Sequence, residues 1–228
     1  MSGYQFAGPR YGGLYLPGIV GNYASTPDEN ALDIVGDIDV RIRVSMRRWT
    51  GTAAQTLLAK YGGSGSRSYR LDVAGNGRLQ FIWSVDGTAV SFFGADAERD
   101  MTGYPLDTPM WIRATLDVDN GASGRTGRVF TSTDGVTWTQ IGSDSTAAGV
   151  TSIFSSTQLL EVGSTFAGAS QPLAATVYAM ELRDGIDGTV VAKPDFTAPV
   201  NPWGTVSGAT RHDGHRTWTL NGDVWEWR

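Results

Sequence analysis

Carboxylates at alternate positions of an extended segment share one face, and two held about 5–5.5 Å apart serve a retaining glycosidase as nucleophile and general acid. The segment nearest to that arrangement is Asp37-Ile38-Asp39-Val40-Arg41, where the third alternate position holds a cation instead of an acid. Glutamates stand only at 29, 98, 161, 181 and 226, and none extends an alternating acidic run; Glu98-Arg99-Asp100 is followed by Met-Thr-Gly. Asp37, Asp39, Arg41 and Arg43 therefore read as solvated charge partners across strands, each pair worth about a few tenths of a kcal/mol. No catalytic residue is assigned. A thiol nucleophile is impossible without cysteine, and neither a Gly-x-Ser-x-Gly elbow nor a phosphate-binding P-loop occurs.

Metal chemistry has two candidate segments. Asp117, Asp119 and Asn120, in Asp-Val-Asp-Asn-Gly121, match the start of a calcium loop. The spacing Asp-x-Asp-x-Asp-Gly fails by one residue, and the twelfth position is Arg128 where a bidentate glutamate belongs. A hairpin turn explains the same letters, so no cofactor is expected and calcium stays as the alternative. His212 and His215 flank Asp213; a zinc site needs three or four ligands, so a polar loop is the expected role.

Aromatic residues outside the expected core could dock a protein or stack on a sugar ring. The candidates are Tyr4, Phe6 and Tyr11 near the N-terminus, Trp49 and Trp203 in loops, and Trp225 and Trp227 at the C-terminus. Trp111 joins them, because it alternates with Ile112 and so faces away from the core, beside Arg113.

The elements that must position these groups are strands. From Asp37 to Arg47 the apolar residues Ile38, Val40, Ile42, Val44 and Met46 fall on one face and charged or polar residues on the other, the pattern of a half-buried antiparallel strand. Ile112, Ala114, Leu116 and Val118 repeat it, as do Leu79, Phe81, Trp83 and Val85, and then Tyr178, Met180 and Leu182. Asx-Gly pairs at 76, 86, 120, 134, 184, 187, 213 and 221 punctuate them, the chemistry of turns that need positive φ. No ten-residue window has helical periodicity. The expectation is an all-β antiparallel sandwich, since every strand has one apolar face to bury. Residues 1–13, aromatic and glycine-rich without alternation, read as an extended arm before one domain spanning 14–228. Val224–Arg228 reads as an anchoring tail or a last strand.

A net charge of −5 offers no electrostatic footprint for nucleic acid. No apolar run approaches the roughly 20 residues of a membrane helix. The start lacks a basic and apolar leader, so no signal peptide is expected.

The stretch Tyr23 to Val40, with Thr26-Pro-Asp28, Leu32 and Gly36-Asp37, resembles the opening of concanavalin A-like, laminin G-like jelly rolls. Trp111 to Gly121, Thr131 to Thr139 and Tyr178 to Gly188 are similar to a version found in minor tail and other virion proteins of actinobacteriophages. Glucanases of this fold carry a Glu-x-Asp-x-Glu or Glu-x-Asp-x-x-Glu strand, and Arg41 stands where the second acid would be. Ser132-Thr-Asp-Gly-Val-Thr-Trp138 resembles the Asp-box hairpin of sialidases with one residue missing, a structural motif there, with Trp138 packing across the turn. The resemblance implies a non-enzymatic virion protein on the outside of a phage particle, a minor tail or decoration protein, and a homo-oligomer there. It would dock on other virion proteins through the arm and tail and touch host surface glycans. A stand-alone carbohydrate-binding lectin is the alternative, and a glycoside hydrolase a more distant one.

Overall fold

The computed structural model describes residues 12–94, 96–197, 208, 210–214 and 216–227. In chain order the strands are β1 (Gly13–Pro17), β2 (Tyr23–Thr26), β3 (Ile38–Met46), β4 (Gln55–Tyr61), β5 (Arg67–Val73), β6 (Leu79–Trp83), β7 (Ser91–Gly94), β8 (Met110–Asp117) and β9 (Gly124–Ser132). They continue with β10 (Thr139–Gln140), β11 (Ser145–Ala148), β12 (Leu160–Val162), β13 (Ala174–Asp184), β14 (Thr189–Ala192), β15 (Thr210–His212), β16 (Thr217–Asn221) and β17 (Trp225–Trp227). Helix among the described residues is confined to single 3-10 turns at Asn30–Leu32 and Ala97–Arg99.

One sheet runs β10-β9-β8-β3-β13-β1-β17, with β11 also on β9 and β14 also on β13; the other runs β15-β16-β2-β12-β4-β5-β6-β7. Every pairing is antiparallel. Between the sheets lies one core, to which β3 gives Ile38, Val40, Ile42, Val44 and Met46 and β8 gives Ile112, Ala114 and Leu116. Leu71, Leu79, Phe81 and Trp83 meet them from the second sheet. The expected antiparallel sandwich is what the chain forms. Positive φ occurs at the glycine of seven of the eight Asx-Gly pairs; at Asp187-Gly188 the aspartate takes it.

Two alternation patterns break where regular pairing breaks. Val85 lies beyond the end of β6 and is exposed. In β13 a bulge between Val177 and Ala179 resets the period, so Val177, Met180 and Leu182 join the core. Tyr178 turns out of it, against the guanidinium of Arg43. Of the expected arm 1–13, residues 1–11 lie outside the described residues, and Gly13 lies in β1, where it pairs with Trp227. The C-terminal residues Trp225–Trp227 form a strand on β1, the second of the two roles read from the sequence.

Candidate functional site

Strand register assembles a charged face on the outside of the larger sheet. Phe130 of β9 lies opposite Arg113 of β8, Arg113 opposite Arg41 of β3, and Arg41 opposite Glu181 of β13. The neighbouring row holds Asp39 between Thr115 and Arg183. Asp39 is fully buried. Its Oδ1 accepts from Arg41 Nε at 3.1 Å and Arg113 Nε at 3.0 Å, and its Oδ2 from their Nη2 atoms at 2.7 and 2.8 Å. Two bidentate forks thus grip one carboxylate, with the Asp187 backbone N–H as a fifth donor at 3.1 Å. The expectation that Asp39, Arg41 and Arg113 are solvated or free for contact is overturned: Arg41 and Arg113 are 8% and 7% exposed.

What covers them is the hairpin 132–138. Asp134 Oδ1 accepts from the backbone N–H groups of Val136 and Thr137 and from Ser132 Oγ at 2.8, 2.7 and 2.8 Å. Those bonds hold the Asp134 carboxyl far below the usual carboxylate range. The turn lays the Trp138 ring over both guanidinium groups, 5.5 Å from each, while Phe130 covers Arg113 at 5.3 Å. Gly135, at φ +76°, presses on the Trp111 indole so closely that a Cβ would come within 2.8 Å of Nε1.

Beside this hairpin opens a cavity of about 390 Å³, walled by Arg41, Trp111, Glu181, Arg183, Lys193 and Asp195. Glu181 accepts from Arg183 Nε at 2.5 Å and meets Lys193 Nζ at 2.9 Å and Arg41 Nη1 at 3.4 Å. Burial alone would raise the Glu181 carboxyl, but these cations outweigh it and hold it below its ordinary range. The same balance lowers Asp187, which pairs with Arg41 and with Arg113. Arg41, Arg113, Arg183 and Lys193 thus share one network with Asp39, Glu181 and Asp187.

Glu181 and Asp134 are both held below the usual carboxylate range and stay ionised near neutral pH. Of the two alternating acids, Asp39 is fully buried and Asp37 Oδ1 accepts from the Val118 backbone N–H at 2.8 Å. The wall presents cationic donors at Lys193 and Arg183, acceptors at Glu181 and Asp195, and a half-buried indole at Trp111.

The other sequence candidates separate clearly. Trp49 is 4% exposed and donates from Nε1 to Tyr104 O at 3.0 Å, so it plugs the core and contacts no ligand. Tyr4, Phe6, Tyr11, Trp203 and His215 lie outside the described residues, as do the side chains of Trp225 and Trp227. Asp117, Asp119 and Asn120 end β8 and enter the turn to β9. Asp119 Oδ1 accepts from Gly121 N, Asn120 Oδ1 accepts from Ala122 N and Asn120 Nδ2 donates to Thr126 Oγ1. Arg128 spends its fork on Asp144. Among the described residues no group of three or more His, Cys, Asp or Glu could hold a metal ion. Asp213 is taken up by Lys193 N, Arg216 N and Trp218 Nε1.

Sequence reasoning missed Glu181, Arg183, Lys193 and the burying role of Trp138. Only the register of β3 with β13 brings Glu181 to Arg41, and no local pattern encodes that register.

No family model matches this chain, and no curated protein does. Solved structures do. A carbohydrate-binding protein assignment from Bacteroides ovatus aligns with TM-score 0.58 at 11% identity, over 94% of this chain and 60% of that one. The CBM40 domain of Ruminococcus gnavus IT-sialidase, bound to alpha2,6 sialyllactose, aligns with TM-score 0.50 at 14% identity, over 76% and 92%. Domains LG4-5 of the mouse laminin alpha1 chain align with TM-score 0.49 at 13% identity, over 88% and 48%. The chain shares its antiparallel β-sandwich, jelly-roll fold with the Bacteroides ovatus and Ruminococcus gnavus structures.

Proposed function

We propose that the chain is a non-catalytic carbohydrate-binding protein that takes a glycan in the cavity beside the 132–138 hairpin. The carrying observation is the wall itself: Trp111 stands among donors and acceptors that the ion-pair network already holds in place. Sugar hydroxyls both donate and accept, and sugar ring faces stack on indoles, so such a wall suits a hydroxyl-rich ligand. The Bacteroides ovatus and Ruminococcus gnavus proteins of the same fold add support, the latter through its bound sialyllactose.

The test is a glycan array followed by calorimetric titration of each hit. Trp111→Ala and Lys193→Ala should each weaken saturable binding by about tenfold or more, the loss expected for one good contact. Binding that ignores both substitutions overturns the site, and release of reducing ends from any bound polysaccharide overturns the non-catalytic reading.

The setting rests on the resemblance of the 111–121, 131–139 and 178–188 segments to actinobacteriophage virion proteins. In that setting the binder would sit on the particle exterior and touch host glycans; a lectin acting alone is the other reading. Mass spectrometry of gradient-purified particles separates them, since the lectin reading requires the protein to be absent from the particle.

A further inference from the structure

The cations of the cavity wall are largely engaged by the protein's own acids. Arg41, whose side chain is 10% exposed, donates from Nε and Nη2 to Asp39 and from Nη2 also to Asp187, and its Nη1 lies 3.4 Å from Glu181. Arg183, 21% exposed, divides its guanidinium between Glu181 Oε1 and the Gly188 carbonyl. Lys193, at 60%, is the most exposed of the three, and its Nζ already lies 2.9 Å from Glu181 Oε2.

The acids of the wall keep more acceptor capacity. Asp195 Oδ1 accepts from the backbone N–H and the hydroxyl of Thr197, at 2.8 and 2.6 Å, while its Oδ2 takes no donor among the described residues. Asp134 is divided in the same way, with Oδ1 serving its turn and Oδ2 taking no donor among the described residues. On the wall Arg41, Arg183 and Lys193 are matched by Asp134, Glu181 and Asp195, so it carries no surplus of positive charge.

Resting on the glycan reading above, we infer that the cavity takes an uncharged or amine-bearing sugar and refuses an acidic one, with Asp195 as the residue that sets this choice. A hydroxyl or an ammonium group donates, and Asp195 Oδ2 offers it an acceptor in the cavity that Trp111 also lines; an indole face favours a cation as well. A sugar carboxylate or sulfate can only accept. To find a donor it must draw Lys193 from Glu181, and it then lies in the field of both Glu181 and Asp195. Shedding its water without a free counter-charge is unfavourable. Repulsion between two carboxylates about 4 Å apart near a protein surface is enough to weaken binding by about tenfold or more.

A glycan array printed with the same sugar frames in neutral, free-amine and carboxylated or sulfated form tests this, with affinities taken from calorimetric titration of the full chain. The neutral and amine forms should bind, and their acidic counterparts about tenfold or more weakly. Asp195 is exposed, and Asp195→Lys should narrow or reverse that gap. Asp195→Asn, which keeps an acceptor for Thr197, should close part of it, and serves where a fall in melting temperature shows that the lysine disturbs the fold. An acidic form that binds as well as its neutral parent, or a preference that neither substitution moves, overturns the inference and leaves the cavity a glycan site. Saturable binding by none of the forms overturns both.

Discussion

Asp72 offers a quantitative test of how this sandwich buries charge. It lies on the outer side of β5 with no exposed surface, and burial pushes its carboxyl from 3.8 up to about 6. Arg70 and a hydrogen bond from Thr56 Oγ1 at 2.9 Å pull the other way without winning. The reason lies in geometry. Arg70 Nε is 3.1 Å from Asp72 Oδ2, yet neither atom completes a hydrogen bond. The guanidinium is drawn instead to Gln171 Oε1 at 2.6 Å and to the face of Tyr61, 4.5 Å away. A carboxyl whose pKa is higher in the folded state binds its proton more tightly there. Its neutral form stabilises the fold fully below about pH 4, and that contribution disappears as pH rises through about 6. A shift of about 2 units at about 1.4 kcal/mol each amounts to about 3 kcal/mol. Asp72→Asn removes the titration while keeping an acceptor for Thr56. The comparison is urea unfolding of both proteins at a series of pH values. The variant should gain about 3 kcal/mol relative to the native chain between about pH 3 and pH 7, whatever its constant offset. A stability difference that stays flat across that range, or that moves toward the native chain, refutes the reasoning about Arg70.

Two further perturbations probe the candidate site and the core beneath it. Asp39→Asn leaves the Arg41 and Arg113 forks without their shared counter-charge, and denaturant unfolding should show a loss of about 3–5 kcal/mol; under about 1 kcal/mol would mean that solvent screens the network. Gly127 lies in β9 where a Cβ would fall 2.3 Å from the Phe93 ring, so Gly127→Ala should cost about 1–3 kcal/mol, and an unchanged unfolding midpoint would contradict that packing.

What the sequence made legible, and what it hid, divides by the range of the interaction. The alternation of Ile38 to Met46 and the Asx-Gly turns are local, and the sandwich follows from them directly. Asp39 was misread because an outward residue on a strand was equated with a solvated one. Here a second layer, the 132–138 hairpin with Trp138, lies over the sheet and removes water from its charges. Trp49 was misread for the converse reason, since a loop tryptophan can still be buried when its N–H finds a carbonyl, here that of Tyr104. Tyr178 changed face through a bulge that no period-2 pattern announces. Glu181 and Lys193 reach the cavity only through the pairing of β3 with β13 and of β13 with β14, across separations that local patterning does not encode.

The identity of residue 41 decides the character of this whole face. Arg41 sits beside Asp39 on its own strand and opposite Glu181 on the next, and it pairs with Asp187 as well. An acid at that position would add a like charge beside Asp39 and Glu181 and remove one of their cations. Mutual repulsion would then raise at least one pKa, which is the condition for general acid catalysis. The arginine supplies a cation instead: Glu181 and Asp187 are held below their ordinary range, and Asp39 is gripped by two forks. A wall of fixed donors and acceptors around Trp111 is the kind of surface that ligand recognition requires.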